Sequence, residues 1–201
     1  MSRSISLLLG LVLLAPAAHA QQKFLGKDTD AWRAQLKNGD AAGRRNAAFA
    51  LGKLGGAALA AEPDMIALFR KEKDAKVRDA LLYALGEMSR ETQGSGEFEA
   101  LCIGALKDGD PYVRRSAVYA LGCMARKTEA TRAALDDALG DKEPVVRQPA
   151  VWALIQFHDA ALPSFHKALR DTDGHVKREA ANALLQVRDG DKVHELLKDL
   201  L

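Results

Sequence analysis

The sequence is poor in cysteine, in aromatic residues and in net charge. Two Cys in 201 residues allow at most one disulfide. Aromatics are 5% of the chain, whereas Ala and Leu abound. That mix favours helix, since Ala and Leu lose little on entering one. Lys and Arg number 29 against 27 Asp and Glu, a formal net charge of +2. So even a balance makes no electrostatic case for binding nucleic acid or an anionic membrane. Phosphate loops, dinucleotide fingerprints, Gly-x-Ser-x-Gly elbows and His-Glu-x-x-His pairs are all missing. No catalytic residue, metal site or cofactor is therefore expected.

Long apolar runs are scarce too, with one exception at the start. Arg3 precedes the run Ile5 to Leu14, and Ala18-His19-Ala20 follows with small-x-small spacing. This pattern is that of a secretory signal peptide over 1–20. The run is too short for a lasting membrane span. No Cys follows it as a lipid acceptor, and no Arg pair precedes it. The expected mature domain is 21–201, exported to a periplasm or beyond, with no stable membrane insertion after cleavage.

The mature part repeats itself. GRRNAAFALG, VRDALLYALG, VRRSAVYALG, VRQPAVWALI and VKREAANALL align on basic anchors Arg44, Arg78, Arg114, Arg147 and Lys177. Four residues before each anchor stands an acid: Asp40, Asp74, Asp110, Glu143, Asp173. Asp110-Pro111 and Glu143-Pro144 have the form of helix starts, an acid capping free N–H groups before a proline. Six after the anchor is Ala (Ala50, Ala84, Ala120, Ala153, Ala183), and seven after is Leu (Leu51, Leu85, Leu121, Leu154, Leu184). Ten after is apolar, from Leu54 to Val187. These positions share one helical face. The small Ala marks a close approach of a neighbouring helix.

A second amphipathic helix precedes each of these. Trp32, Met65, Cys102, Leu135 and Phe165 supply its apolar face, with Leu36, Phe69, Leu106, Leu139 and Leu169 a turn later. One such pair cannot bury its own apolar face, but stacked pairs can. The expectation is an all-α solenoid of about five antiparallel helix pairs plus a C-terminal capping helix, Val193 to Leu201. Gly94-Ser95-Gly96 reads as a flexible insertion between units two and three. Pro149 lies inside a helix and predicts a kink or a late start there.

The acid, Val-Arg, Ala and Ala-Leu-Gly columns resemble HEAT repeats, in particular the short HEAT-like type also seen in phycobilin lyases. The resemblance covers nearly all of the mature chain. Lys177 departs from it, as do Ile155 and Leu185 in place of Gly. It implies a right-handed superhelix with the second helices lining its concave side.

One stripe of the second helices faces away from the core. Five after the anchor stand Phe49, Tyr83, Tyr119, Trp152 and Asn182. Beside them run Arg45, Asp79, Arg115, Gln148 and Arg178, and on the other flank Lys53, Glu87, Cys123, Gln156 and Gln186. Phe49, Tyr83, Tyr119, Trp152, Arg45, Arg115 and Arg178 are the candidate binding residues, since aromatic and Arg side chains anchor interfaces. The column also reads as packing between successive helices, and one ring can pack at its base and bind at its tip. The acid and Arg columns read as caps and bonds between repeats. Cys102 and Cys123 are offset by roughly 10 Å along the hairpin, too far for a disulfide. His158, His166, His175 and His194 form no metal-ligand spacing.

The function expected is a non-catalytic scaffold for a protein or peptide partner, with no nucleic acid bound. The alternative is a lyase-like or metal-dependent enzyme on the same repeat scaffold.

Overall fold

The computed structural model describes residues 22–90, 92, 94–124, 126–187 and 189–198. The expected signal segment and Leu200 lie outside them.

The described chain folds into helix pairs: α1 (Thr29–Asn38) with α2 (Ala41–Leu54), α3 (Glu62–Lys71) with α4 (Ala75–Ser89), and α5 (Gly96–Ala105) with α6 (Pro111–Cys123). Then follow α7 (Glu129–Ala138) with α8 (Pro144–Leu154), α9 (Leu162–Leu169) with α10 (Gly174–Leu184), and a lone α11 (Gly190–Lys198). Short 3₁₀ segments, Gly55–Ala61 and Ile155–Ala161, join units one to two and four to five. Extended pairing among the described residues is a single bridge, Phe24 to Lys27, closing a tight turn. This is an all-α solenoid, as the periodicity predicts. Among the described residues no helix is long and apolar enough to cross a membrane.

The acid column caps the second helices. Asp40 accepts a hydrogen bond from the Gly43 N–H, Asp74 from Lys76 and Val77, Asp110 from Tyr112 and Val113, and Asp173 from His175 and Val176. Glu143 makes no such side-chain bond; Glu lies outside the residue types favoured at N-caps. Helix α8 nevertheless begins at Pro144 and continues through Pro149. The late start expected of Pro149 does not occur. Gly94-Ser95-Gly96 forms the turn into α5. Gly94 turns the chain at φ +65°, Ser95 caps α5 through the Phe98 N–H, and Gly96 is its first residue.

The Ala and Leu columns are buried throughout. The second helices pack on one another far more extensively than the first helices do. Missing side chains explain the closeness. A Cβ on Gly52 would lie 2.9 Å from Ala84 Cα, one on Gly86 3.0 Å from Ala120 Cα, and one on Gly122 2.9 Å from Ala153 Cβ. Each Gly of one unit thus meets the Ala of the next, at its backbone for Gly52 and Gly86 and at its Cβ for Gly122. Ile155 occupies the same position in unit four, and there α8 has already ended.

Clefts open on the other side of the stack, between first helices. One of about 740 Å³ lies between α1 and α3 along Lys37, Asp64 and Lys71, and others separate α3 from α5 and α5 from α7. The stack is thus tightly packed along its second helices and open between its first helices. Helix α11 covers α9, with Val193 and Leu196 against the core, but α10 keeps a bare end where Leu185 is 84% exposed.

The anchor arginines tie unit to unit. Arg44 Nε donates to Glu72 at 2.7 Å. Arg78 and Arg147 each grip both oxygens of a carboxylate, Asp108 at 2.9 and 2.9 Å and Asp171 at 2.7 and 2.7 Å. Arg114 does the same with Asp141. Each Nη1 also donates to carbonyls of its own loop, such as Gly39, Lys73, Asp108 and Asp141. These carboxylates stand two residues before the next cap, so the acids that cap and the acids that bridge are separate columns. Lys177, the fifth anchor, is exposed.

Candidate functional site

Helices α2, α4, α6, α8 and α10 each carry one member of the outward column at the same register. Phe49 is 50% exposed, Tyr83 39% and Trp152 41%, while Tyr119 is half-buried. Three of the rings stack in series. Tyr83 and Tyr119 lie 4.9 Å apart between centroids at 11°, and Tyr119 and Trp152 5.8 Å apart at 15°. The column therefore both packs, through ring faces, and stays accessible along its edges.

Phe49 stands outside this series. It meets Phe24 edge-on at 6.1 Å, and Lys53 Nζ lies 5.3 Å from its ring centre. The fifth member, Asn182, is exposed and has no ring to add. Trp152 lies on the glycine seam: a Cβ on Gly122 would sit 2.5 Å from the indole Cζ3.

Polar groups fix the central ring. The Tyr119 hydroxyl donates to Glu87 and accepts from Arg90 Nη2, while Arg90 Nε bonds Glu87 at 2.8 Å. Burial and the Glu87 carboxylate push the Tyr119 hydroxyl well above its ordinary value. Burial would raise Glu87, but the bonds from Tyr119 and Arg90 outweigh it and hold the carboxyl below its usual range. The proton thus stays on Tyr119. Burial also raises the Cys123 thiol beside it and, more strongly, that of Cys102. Both thiols are free.

The expected arginines divide. Arg115 lies 3.7 Å from Asp79, which also accepts a hydrogen bond from Ser116, and its guanidinium is 5.1 Å from the Tyr112 ring centre. Arg178 bonds the His175 ring at 2.8 Å. Arg45 is exposed. The stripe thus brings together Tyr83, Tyr119, Trp152 and Arg115, with Phe49 and Arg45 at one end and Arg178 at the other. Sequence reasoning passed over Glu87 and Arg90 as a clamp. Glu87 was visible as a flank position, but Arg90 falls beyond the repeated columns. Among the described residues no three His, Cys, Asp or Glu side chains gather as metal ligands.

The sequence matches the pattern of HEAT repeats over residues 98–160 and 138–201. No curated protein gives a significant match. Solved structures share the architecture. The complex of CpcE and CpcF of phycocyanin lyase from Nostoc sp. PCC7120 is similar at TM-score 0.66 and 24% identity, over 88% of this chain and 70% of that one. A designed armadillo repeat protein in complex with a (KR)4 peptide gives 0.60 and 18%, over 85% and 88%. An engineered protein gives 0.60 and 19%, over 86% of each chain. At such identities the likeness is one of fold.

Proposed function

The chain belongs to the HEAT-repeat family, and from that premise we propose that it is an exported, non-catalytic scaffold holding a protein or peptide along its second-helix stripe. One observation carries this reading: large aromatic side chains, Phe49, Tyr83 and Trp152, are left 39–50% exposed in one line. Exposed aromatics rimmed by polar residues are the usual anchors of an interface. Structures that share the fold support a use of this kind, since the armadillo design is in complex with a peptide and the lyase structure is a complex of CpcE and CpcF. Fold alone does not carry lyase chemistry to this chain. Export rests on residues 1–20, and the mature protein recovered from cells should begin at Gln21.

The test is affinity capture from envelope extracts with the mature protein as bait. Replacing Tyr83, Tyr119 and Trp152 together by Ala should abolish capture and leave the helical circular dichroism spectrum intact. Capture that survives the triple change refutes the assignment of the stripe.

A further inference from the structure

We infer that the partner presents an extended acidic segment with one aromatic side chain, which seats as the next ring of the column after Trp152, at the position of Asn182; this rests on the binding role proposed above.

Charge supplies the first argument. In units two and three the acids of the stripe are already engaged, Asp79 by Ser116 and Arg115 and Glu87 by Tyr119 and Arg90. Unit four offers the neutral Gln148 and Gln156. Unit one presents Arg45 and Lys53 on either side of Phe49, with no ion pair to either among the described residues. Unit five presents Arg178, whose bond goes to the His175 ring, beside a half-buried Glu179. Arg45 and Arg178 have no ion pair to a carboxylate among the described residues, while Lys53 shares the field of Glu87 with Arg90, so the excess charge of the stripe is positive and sits at its two ends. An acidic chain gains at both ends, while a basic chain meets like charge there. Nucleic acid fits poorly, because a phosphate backbone asks for cations along its whole length.

Stacking supplies the second. A ring in a column has two faces. Trp152 gives one to Tyr119 and to the backbone at Gly122. The next position of the series is Asn182, exposed and too short to stack. A planar side chain from a partner fits there, continuing the repeat that the chain leaves off. Arg178 lies one helical turn before Asn182, so an acid next to that ring meets a cation. Spanning from Arg45 to Asn182 takes four inter-helix steps, about 32–40 Å, or about ten to twelve extended residues.

Intrinsic fluorescence tests this on the mature protein. Of its two Trp, Trp32 is 5% exposed, so a ligand-induced change reports Trp152. The probes are a synthetic Glu-rich peptide of about twelve residues with one Phe, the same peptide with Ala for Phe, its Lys-rich counterpart, and a single-stranded DNA oligonucleotide. The Glu-Phe peptide should bind saturably and weaken with salt. The Ala version should bind about three- to tenfold more weakly. Asn182→Tyr fills the vacant position and should erase that difference, whereas Arg45→Glu with Lys53→Glu should weaken both acidic peptides. Equal or tighter binding of the Lys-rich peptide or the oligonucleotide overturns the inference. So does a Phe advantage that persists in Asn182→Tyr. If no acidic peptide binds, yet envelope capture still depends on Tyr83, Tyr119 and Trp152, this inference falls and the binding role stands.

Discussion

Arg114 of unit three holds both carboxylate oxygens of Asp141 across the boundary with unit four, at 2.7 and 2.8 Å. The two side chains are 7% and 11% exposed. Removing one partner strands a buried charge, which costs about 3–5 kcal/mol. We expect Arg114→Ala or Asp141→Ala to lower unfolding stability by that order. Arg114→Met with Asp141→Asn should recover part of the loss. Denaturant titration measures both, and a single-variant loss below about 1 kcal/mol would show the pair to be weak, as exposed pairs are.

Acid should loosen the whole stack. Glu72, Asp108 and Asp141 are raised by burial but lowered more by their arginines and by backbone N–H donors, while Asp171 is lowered first by Arg147. Glu99 behaves likewise, its burial outweighed by Thr128, Thr131 and Arg126. All five carboxyls end below their ordinary values. A depressed folded value means stability that is full above the unfolded value and lost as pH falls through the folded one. Tm should hold steady from neutral pH to about 5 and drop steeply below about 4. A Tm unchanged down to about pH 3 would contradict this.

The glycine seam should not tolerate a methyl group. Gly86→Ala places a Cβ 3.0 Å from Ala120 Cα, which is backbone and cannot swing aside. Overpacking of this kind costs about 1–3 kcal/mol. Ordinary exposed helix positions gain from the same exchange, so a stabilised Gly86→Ala variant would refute the seam.

His158 should improve as glycine. Its backbone sits at φ 49°, ψ −126°, in the left-handed half of the map. Gly55, the equivalent residue of unit one, adopts φ 55°, ψ −131° without a side chain. His158 is exposed, so little packing is lost. Relief of about 1–3 kcal/mol of strain against the entropy of a freer unfolded chain leaves a net gain of about 1 kcal/mol for His158→Gly. Thermal unfolding checks it, and a lowered Tm would count against strain at this position.

Repetition is why so much was legible. Ala84 alone says little, but Ala at five equivalent positions beside five Leu marks a buried seam, and all ten are buried. The bridging acids Glu72, Asp108, Asp141 and Asp171 stand in register too. They escaped notice because their partners are one unit away, a distance that only the stacked fold closes. Glu99, buried against Thr128 and Thr131, has no counterpart in the columns. Ring geometry was equally out of reach: spacing places Tyr83, Tyr119 and Trp152 in line, but not face to face. The sequence predicts a capping helix over Val193 to Leu201; α11 runs over Gly190–Lys198, packs on α9 and leaves Leu185 bare, which the repeat pattern alone does not show.

The contrast between a close-packed glycine seam and open clefts on the opposite side has a mechanical consequence. Lengths along the seam are set by backbone contact and resist change, while the clefts have room to widen or shut. Bending is therefore directional, with the second helices acting as the hinge line and the first helices as leaves that fan apart. A partner lying along the hinge line changes least in length when the stack flexes. Curvature can then adjust to it without sliding Tyr83, Tyr119 and Trp152 out of register.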